Sequence, residues 1–199
     1  MILNLGRRVV SVHAGKSTQQ PTARHSSMLN PACEAMKIRP YKPADWRRLC
    51  EIHDPARMDE LRAFGQPEAF IPLEQAAGSE GLFESDLHVA EIDGVVEGFV
   101  GLKSDEVTWL YVSPARYRQG IGRALLRHAI AAAGPETRIE VLEGNDTALR
   151  LYLSEGFVIR ERAEGKLVGN ESFTGAGFRM VHRKTEQGGE APCLAPRAT

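Results

Sequence analysis

The chain has 199 residues, with 25 Lys and Arg against 26 Asp and Glu and a 42% hydrophobic content; that length holds one domain with tails, or one large domain, and is too short for two full α/β domains. A formal net charge of −1 gives no cationic field to hold a polyanion, which argues against nucleic acid or an anionic membrane as the main partner. Cys33, Cys50 and Cys193 lack any CxxC spacing, so neither a disulfide framework nor a metal site is expected, and the absence of any roughly 18-residue apolar stretch points to a cytoplasmic protein.

Residues 1–35 contain Arg7, Arg8, Lys16 and Arg24 but a single acid, Glu34. This acid-poor composition fits a leader, a disordered extension or a start placed too early, with Met36 as the natural beginning. Residues 185–199, rich in Gly, Pro and Ala, read as a disordered tail. The folded body is therefore 36–184.

Within it, Lys37 to Arg39 reads as a strand (β1). Pro43 to His53 places Trp46, Leu49, Cys50 and His53 at helical spacing, Pro55 to Phe64 repeats that pattern, and Pro72 to Phe83 is a weaker helix broken by Gly78 and Gly81. Leu87 to Ile92 (β2) and Val95 to Leu102 (β3) flank Asp93-Gly94, a dipeptide suited to the positive φ angles of a two-residue hairpin. Glu106 to Val112 is a further strand (β4). Arg123 to Ala133 follows as an amphipathic helix, then a strand at Thr137 to Leu142 (β5), a helix from Asn145 to about Glu155, and strands at Phe157 to Arg162 (β6) and Gly177 to Arg183 (β7). The order is β-α-α-β-β-β-α-β-α-β-β, a mixed α/β body.

Two segments carry chemistry. Tyr117-Arg-Gln-Gly-Ile-Gly-Arg123 lies between a strand and a helix, so its backbone N–H groups stand at the positive end of a helix dipole, with glycines that admit an anion closely. It reads as a pyrophosphate loop or as a glycine-rich helix start. A dinucleotide fold is disfavoured because Leu125 replaces the third glycine of GxGxxG and a hairpin precedes the motif; a Walker A loop is disfavoured because no Gly-Lys-Ser/Thr follows. The second segment is Asn145-Asp-Thr-Ala-Leu-Arg-Leu-Tyr152. Seven helical residues make about two turns, so Asn145 and Tyr152 share a face, and Tyr152 reads as a phenolic proton donor or as a core aromatic.

Together with Trp109-Leu-Tyr-Val-Ser-Pro114, and about 30 residues apart, these segments resemble the GNAT superfamily of acyl-CoA-dependent N-acetyltransferases, over most of Lys37 to Arg183. The resemblance implies a mixed, mostly antiparallel sheet with helices on both faces and β4 splayed from β5. It implies acetyl-CoA as co-substrate, with no metal, and an amine acceptor bound to a monomer or homodimer. The pyrophosphate then falls to Arg118, Gln119, Gly120, Ile121, Gly122 and Arg123, the pantetheine to Leu110, Tyr111, Val112 and Asn145, and the general acid to Tyr152. The family loop usually opens with Gln or Arg where this chain has Tyr117, leaving Arg116 and Arg118 as alternative helpers.

By the same resemblance Glu106 takes the place of a catalytic glutamate on β4, sharing a strand face with Thr108, Leu110 and Val112, with Asp105 as its substitute in a shifted register. Residues 50–85 and 165–176 would line the acceptor side, where Asp54, Asp59 and Glu60 suit a cationic amine and Trp109 and Phe70 an apolar wall. The function this implies is transfer of acetyl from acetyl-CoA to a primary amine of a small molecule or peptide through a ternary complex. The competing reading is a non-catalytic acyl-CoA-binding or protein-interaction module.

Overall fold

The alternation of buried strands with amphipathic helices resolves, in a computed structural model that describes residues 3–4 and 36–184, into one sheet covered on both faces. Its strands are β1 (Lys37–Pro40), β2 (Asp86–Ile92), β3 (Val95–Lys103), β4 (Glu106–Val112), β5 (Glu136–Leu142), β6 (Val158–Leu167) and β7 (Asn170–Arg183). They lie in the order β1-β2-β3-β4-β5-β7-β6, antiparallel except for β4 against β5. Of the segments expected to be tails, 1–35 and 185–199, only Leu3–Asn4 falls within the described residues, pairing with Leu167 and Lys166 on the β6 edge.

The helices are α1 (Trp46–Phe64), α2 (Leu73–Ser79), α3 (Ile121–Ala132) and α4 (Asp146–Ser154). α1 and α2 bury Leu49, Ile52, Leu73 and Ala76 against Phe99, Trp109 and Tyr111 on one face. On the other, Ile121, Leu125 and Leu126 of α3 and Tyr152 of α4 pack on Val100, Val107, Ile139 and Val141. Each core is the stripe that its helix sequence supplies.

Three local expectations are corrected. The two helical patterns on either side of Pro55 form one helix: Pro55 and Glu51 both lie on its exposed side, where water can serve the carbonyl that proline leaves without a donor. The pattern Pro72 to Phe83 divides into α2 and a separate 3-10 turn, Leu82–Glu84. The last two strands extend well beyond Arg162 and begin well before Gly177, joined at Val168-Gly169 in a long hairpin where a loop over 165–176 was expected. Asp93 and Gly94 adopt φ of 50° and 80°, the left-handed pair that the hairpin requires.

Two close approaches hold the open end of the sheet. The β3–β4 register steps from Gly101↔Trp109 to Leu102↔Val107, leaving Thr108 as a bulged residue. A bulge bends its strand, and β4 pairs with β5 only through Glu106↔Arg138 and Val107↔Ile139; beyond this point the two strands diverge. At the other side of the opening, a Cβ on Gly144 would lie 2.5 Å from the Ala63 carbonyl oxygen, at φ +84°. Gly144→Ala is therefore expected to cost about 3 kcal/mol, read as a fall in Tm of at least roughly 6 °C; a Tm within 1–2 °C of the parent, on the order of a surface substitution, would contradict this packing.

Candidate active site

The divergence of β4 and β5 opens a cleft of about 950 Å³. Val107, Leu110 and Val112 line one wall, Ile139 and Val141 the other, and the glycine loop with the start of α4 forms the mouth. The bulge at Thr108 corrects the expected strand face. Val107, not Glu106, lies on the side of Leu110 and Val112, packed with the α3 core, while Trp109 and Tyr111 turn to α1.

α3 begins at Ile121, two residues earlier than its apolar periodicity suggests, because Gly120 takes φ +86° at the N-cap and carries no side-chain cap. The first N–H groups of the helix consequently have no intrahelical partner. Nothing stands within 4 Å of a Cβ built on Gly120, and one on Gly122 meets only Val112 and Leu151 at ordinary contact distance. Arg118, Gly120, Ile121, Gly122 and Arg123 line the cleft, whereas Gln119 does not and accepts from Arg116 at 3.5 Å.

The arginines differ in their engagements. Arg116 is turned toward Glu97 (3.3 Å), and Arg123 pairs with Glu155 at 3.1 Å. Arg118, at φ +65°, makes no ion pair among the described residues.

Asn145 caps α4 by accepting from the Ala148 amide at 3.1 Å, and its Nδ2 donates to Glu60 Oε1 at 3.3 Å. Tyr152, two turns on, is only 6% exposed yet lines the cleft. Burial, and then the charge of Glu60, raises its phenol well above the ordinary tyrosine value. The proton stays on the oxygen throughout the neutral range, as a general acid for a thiolate requires.

Glu106 stands at the closed end of the opening, half-buried and outside the cleft lining. Burial raises its pKa, assisted by the neighbouring charge of Glu140 and opposed by Arg138. Asp105 accepts the Gly134 amide at 2.7 Å and so is tied to the α3–β5 connection.

Of the residues expected on the acceptor side, Asp59 and Glu60 line the cleft. Asp54 instead accepts the Leu73 amide at 2.9 Å and holds His53 Nδ1 at 3.0 Å. Trp109 is a core residue, 1% exposed, and Phe70 packs beside Leu61 and Leu167.

The role of Glu60 as a convergence point is not visible in the pattern of motifs. Arg57 donates to its Oε2 at 2.6 Å and the Tyr111 hydroxyl lies 3.4 Å from the same oxygen. One signal was available: Arg57 and Glu60 continue the buried stripe Leu49, Ile52, His53, Ala56, where two charged residues break an apolar series. Burial depresses His53 to about 4, so a neutral imidazole stacks edge-on against Tyr111 with centroids 4.7 Å apart. No group of three or more His, Cys, Asp or Glu is placed to hold a metal among the described residues, and no described helix is long and apolar enough to cross a membrane.

Comparison with known proteins agrees with this architecture. The family described as Acetyltransferase (GNAT) domain matches residues 84–159, from the end of the helical face to the first residues of β6. The chain is 27% identical to the uncharacterized N-acetyltransferase YafP of Escherichia coli K12 over 134 residues, covering 65% of this chain and 87% of that protein. It is 33% identical over 72 residues to the peptidyl-lysine N-acetyltransferase YiaC of the same organism, covering 36% of this chain and 49% of the relative. A GCN5-related N-acetyltransferase of Rhodopseudomonas palustris superposes with a TM-score of 0.60 at 25% identity, over 80% of this chain and 99% of the other. Fold and matches together define an acetyltransferase. The chain belongs to the GNAT superfamily.

Proposed function

We propose that the enzyme transfers the acetyl group of acetyl-CoA to a primary amine of a small molecule or peptide by direct attack within a ternary complex. The observation that carries this reading is the junction of an uncapped, glycine-led helix start with an open, apolar-walled wedge that a buried phenol lines. The pyrophosphate of the substrate is assigned to the amides of Gln119 to Arg123, with Arg118 as the arginine free to assist. The pantetheine is assigned to the wedge between Leu110 to Val112 and Ile139 to Val141, with Asn145 beside it.

In the reaction the amine nitrogen attacks the thioester carbonyl, a C–N bond forms and the C–S bond breaks. Backbone N–H groups of β4 near Leu110 and Tyr111, beyond the point where β5 pairs, suit the developing oxyanion, a contribution of about 3 kcal/mol for one such donor. Tyr152 gives its proton to the departing sulfur. Glu106 is assigned the proton of the amine, through water, since it does not itself line the cleft; its raised pKa brings it closer to that task.

A base must be ionised to act, so the rate is expected to fall as pH drops through the raised Glu106 value. Glu106→Gln should lower kcat at least tenfold and remove that acid-side limb. An unaltered pH profile in the variant would reassign the base. The ternary-complex order is tested by initial rates with both substrates varied: intersecting double-reciprocal lines are expected, and parallel lines would indicate a covalent acetyl-enzyme instead.

A further inference from the structure

The charged groups that line the cleft are segregated. Its arginines, Arg116, Arg118, Arg123 and Arg150, stand on the glycine loop, α3 and α4, whereas Asp59, Glu60 and Glu140 stand on α1 and β5, with Asp146 alone among the acids at the loop end. The first group faces where a polyanion would lie. Within the second, Glu60 is the carboxylate bonded to both Tyr111 of β4 and Asn145, the cap of α4.

Glu60 is also prepared for a ligand in a way that Asp59 and Glu140 are not. Its side chain is only 12% exposed; Asp59, at 48%, lies on the helix surface near Arg62, and Glu140 accepts from Arg179 at 2.8 Å. Arg57 backs Glu60 from behind, lining a separate small cavity with His53 and Glu80 and not the cleft. A carboxylate offers about four acceptor positions. Arg57 and Tyr111 meet Oε2 and Asn145 meets Oε1, which leaves a position on Oε1 for a further donor.

We propose that Glu60 is the specificity-determining residue for the acceptor: it receives the nitrogen of a cationic, unhindered primary amine where α1 lines the cleft. The assignment rests on the acetyl-transfer reading above. Against the opposing effect of burial, Arg57 holds the Glu60 carboxyl below its ordinary range, which favours its charged form. The bond survives deprotonation of the substrate, because an ammonium ion and the neutral amine both carry N–H donors. A neutral amine binds without that ion pair and an alcohol with a single donor, so both are discriminated against.

The test measures thiol release from acetyl-CoA with n-butylamine, 1,4-diaminobutane and aniline, the last uncharged at neutral pH, alongside calorimetric binding of acetyl-CoA. In Glu60→Gln the KM for the two alkylamines should rise at least tenfold and that for aniline by about threefold at most, and Glu60→Asp should recover part of the loss. A kcat loss equal for all three amines, or no change in KM, overturns the proposal. Because the variant leaves Arg57 without its partner, a second arm uses the parent enzyme: n-butylguanidinium, a permanent cation with N–H donors and no nucleophilic amine, should inhibit competitively against butylamine and not against acetyl-CoA, and lack of competition overturns the proposal equally. Failure of the parent to bind acetyl-CoA would defeat the acetyl-transfer reading itself; binding with turnover of aniline alone would leave that reading standing and remove Glu60 from acceptor recognition.

Discussion

Replacing Tyr152 by Phe is expected to lower kcat at least tenfold while leaving the Kd for acetyl-CoA within about twofold. The phenyl ring keeps the packing of Tyr152 with Phe157, whose centroids stand 6.0 Å apart, and the apolar surface between α4 and the sheet. Only the hydroxyl is lost. A tenfold loss corresponds to about 1.4 kcal/mol in the barrier, a modest demand on a proton donor, since general acids typically contribute 10²–10⁴-fold. Single-turnover thiol release by rapid quench reads the chemical step directly, and thermal melting checks that the fold is kept. Unchanged turnover would assign the sulfur's proton to another group or to solvent, and a large rise in Kd would make Tyr152 a binding residue.

Gly120→Val should act on the opposite end of the substrate. Gly120 sits at φ +86°, where a β-branched side chain is strained, and it opens onto space with no protein atom to collide with. The substitution therefore tests the approach of the ligand and the shape of the loop, with little effect on core packing. An expected increase of at least tenfold in the acetyl-CoA Kd, with kcat at saturation near the parent value, would separate pyrophosphate binding from chemistry. Unchanged affinity would move the phosphates away from this loop.

The two outcomes are complementary because the two residues were legible in different ways. The start of α3 at Ile121, two residues before the expected Arg123, does not follow from local chemistry; the body of α3 and the cap at Asn145 do, from an apolar stripe through Ala129 and a side-chain oxygen within reach of the Ala148 N–H. Asp93-Gly94 is readable on the same terms. In each case the signal spans only a few residues, and the structure follows it.

What escaped reading depends on pairing. The bulge at Thr108 is a difference in register between β3 and β4, and nothing in Glu-Val-Thr-Trp-Leu-Tyr-Val reveals it; alternation alone sets Glu106 on the face of Leu110, and the extra residue moves it off. The full length of the β6–β7 hairpin is hidden in the sequence because much of it alternates between exposed and half-buried polar side chains, with Val158 and Ile159 themselves exposed. Glu60 draws its partners from residues 57, 111 and 145, so its place in the cleft wall exists only once three elements have packed.

The most direct test of acetyl transfer is thiol release from acetyl-CoA by the full chain, read together with mass spectrometry of the amine. The panel holds polyamines, amino acids, aminoglycosides and N-terminal and lysine peptides, with hydrolysis subtracted. One equivalent of N-acetylated amine for each thiol released is the predicted result, and thiol release at the hydrolysis rate with every amine unmodified, while acetyl-CoA still binds, would contradict it.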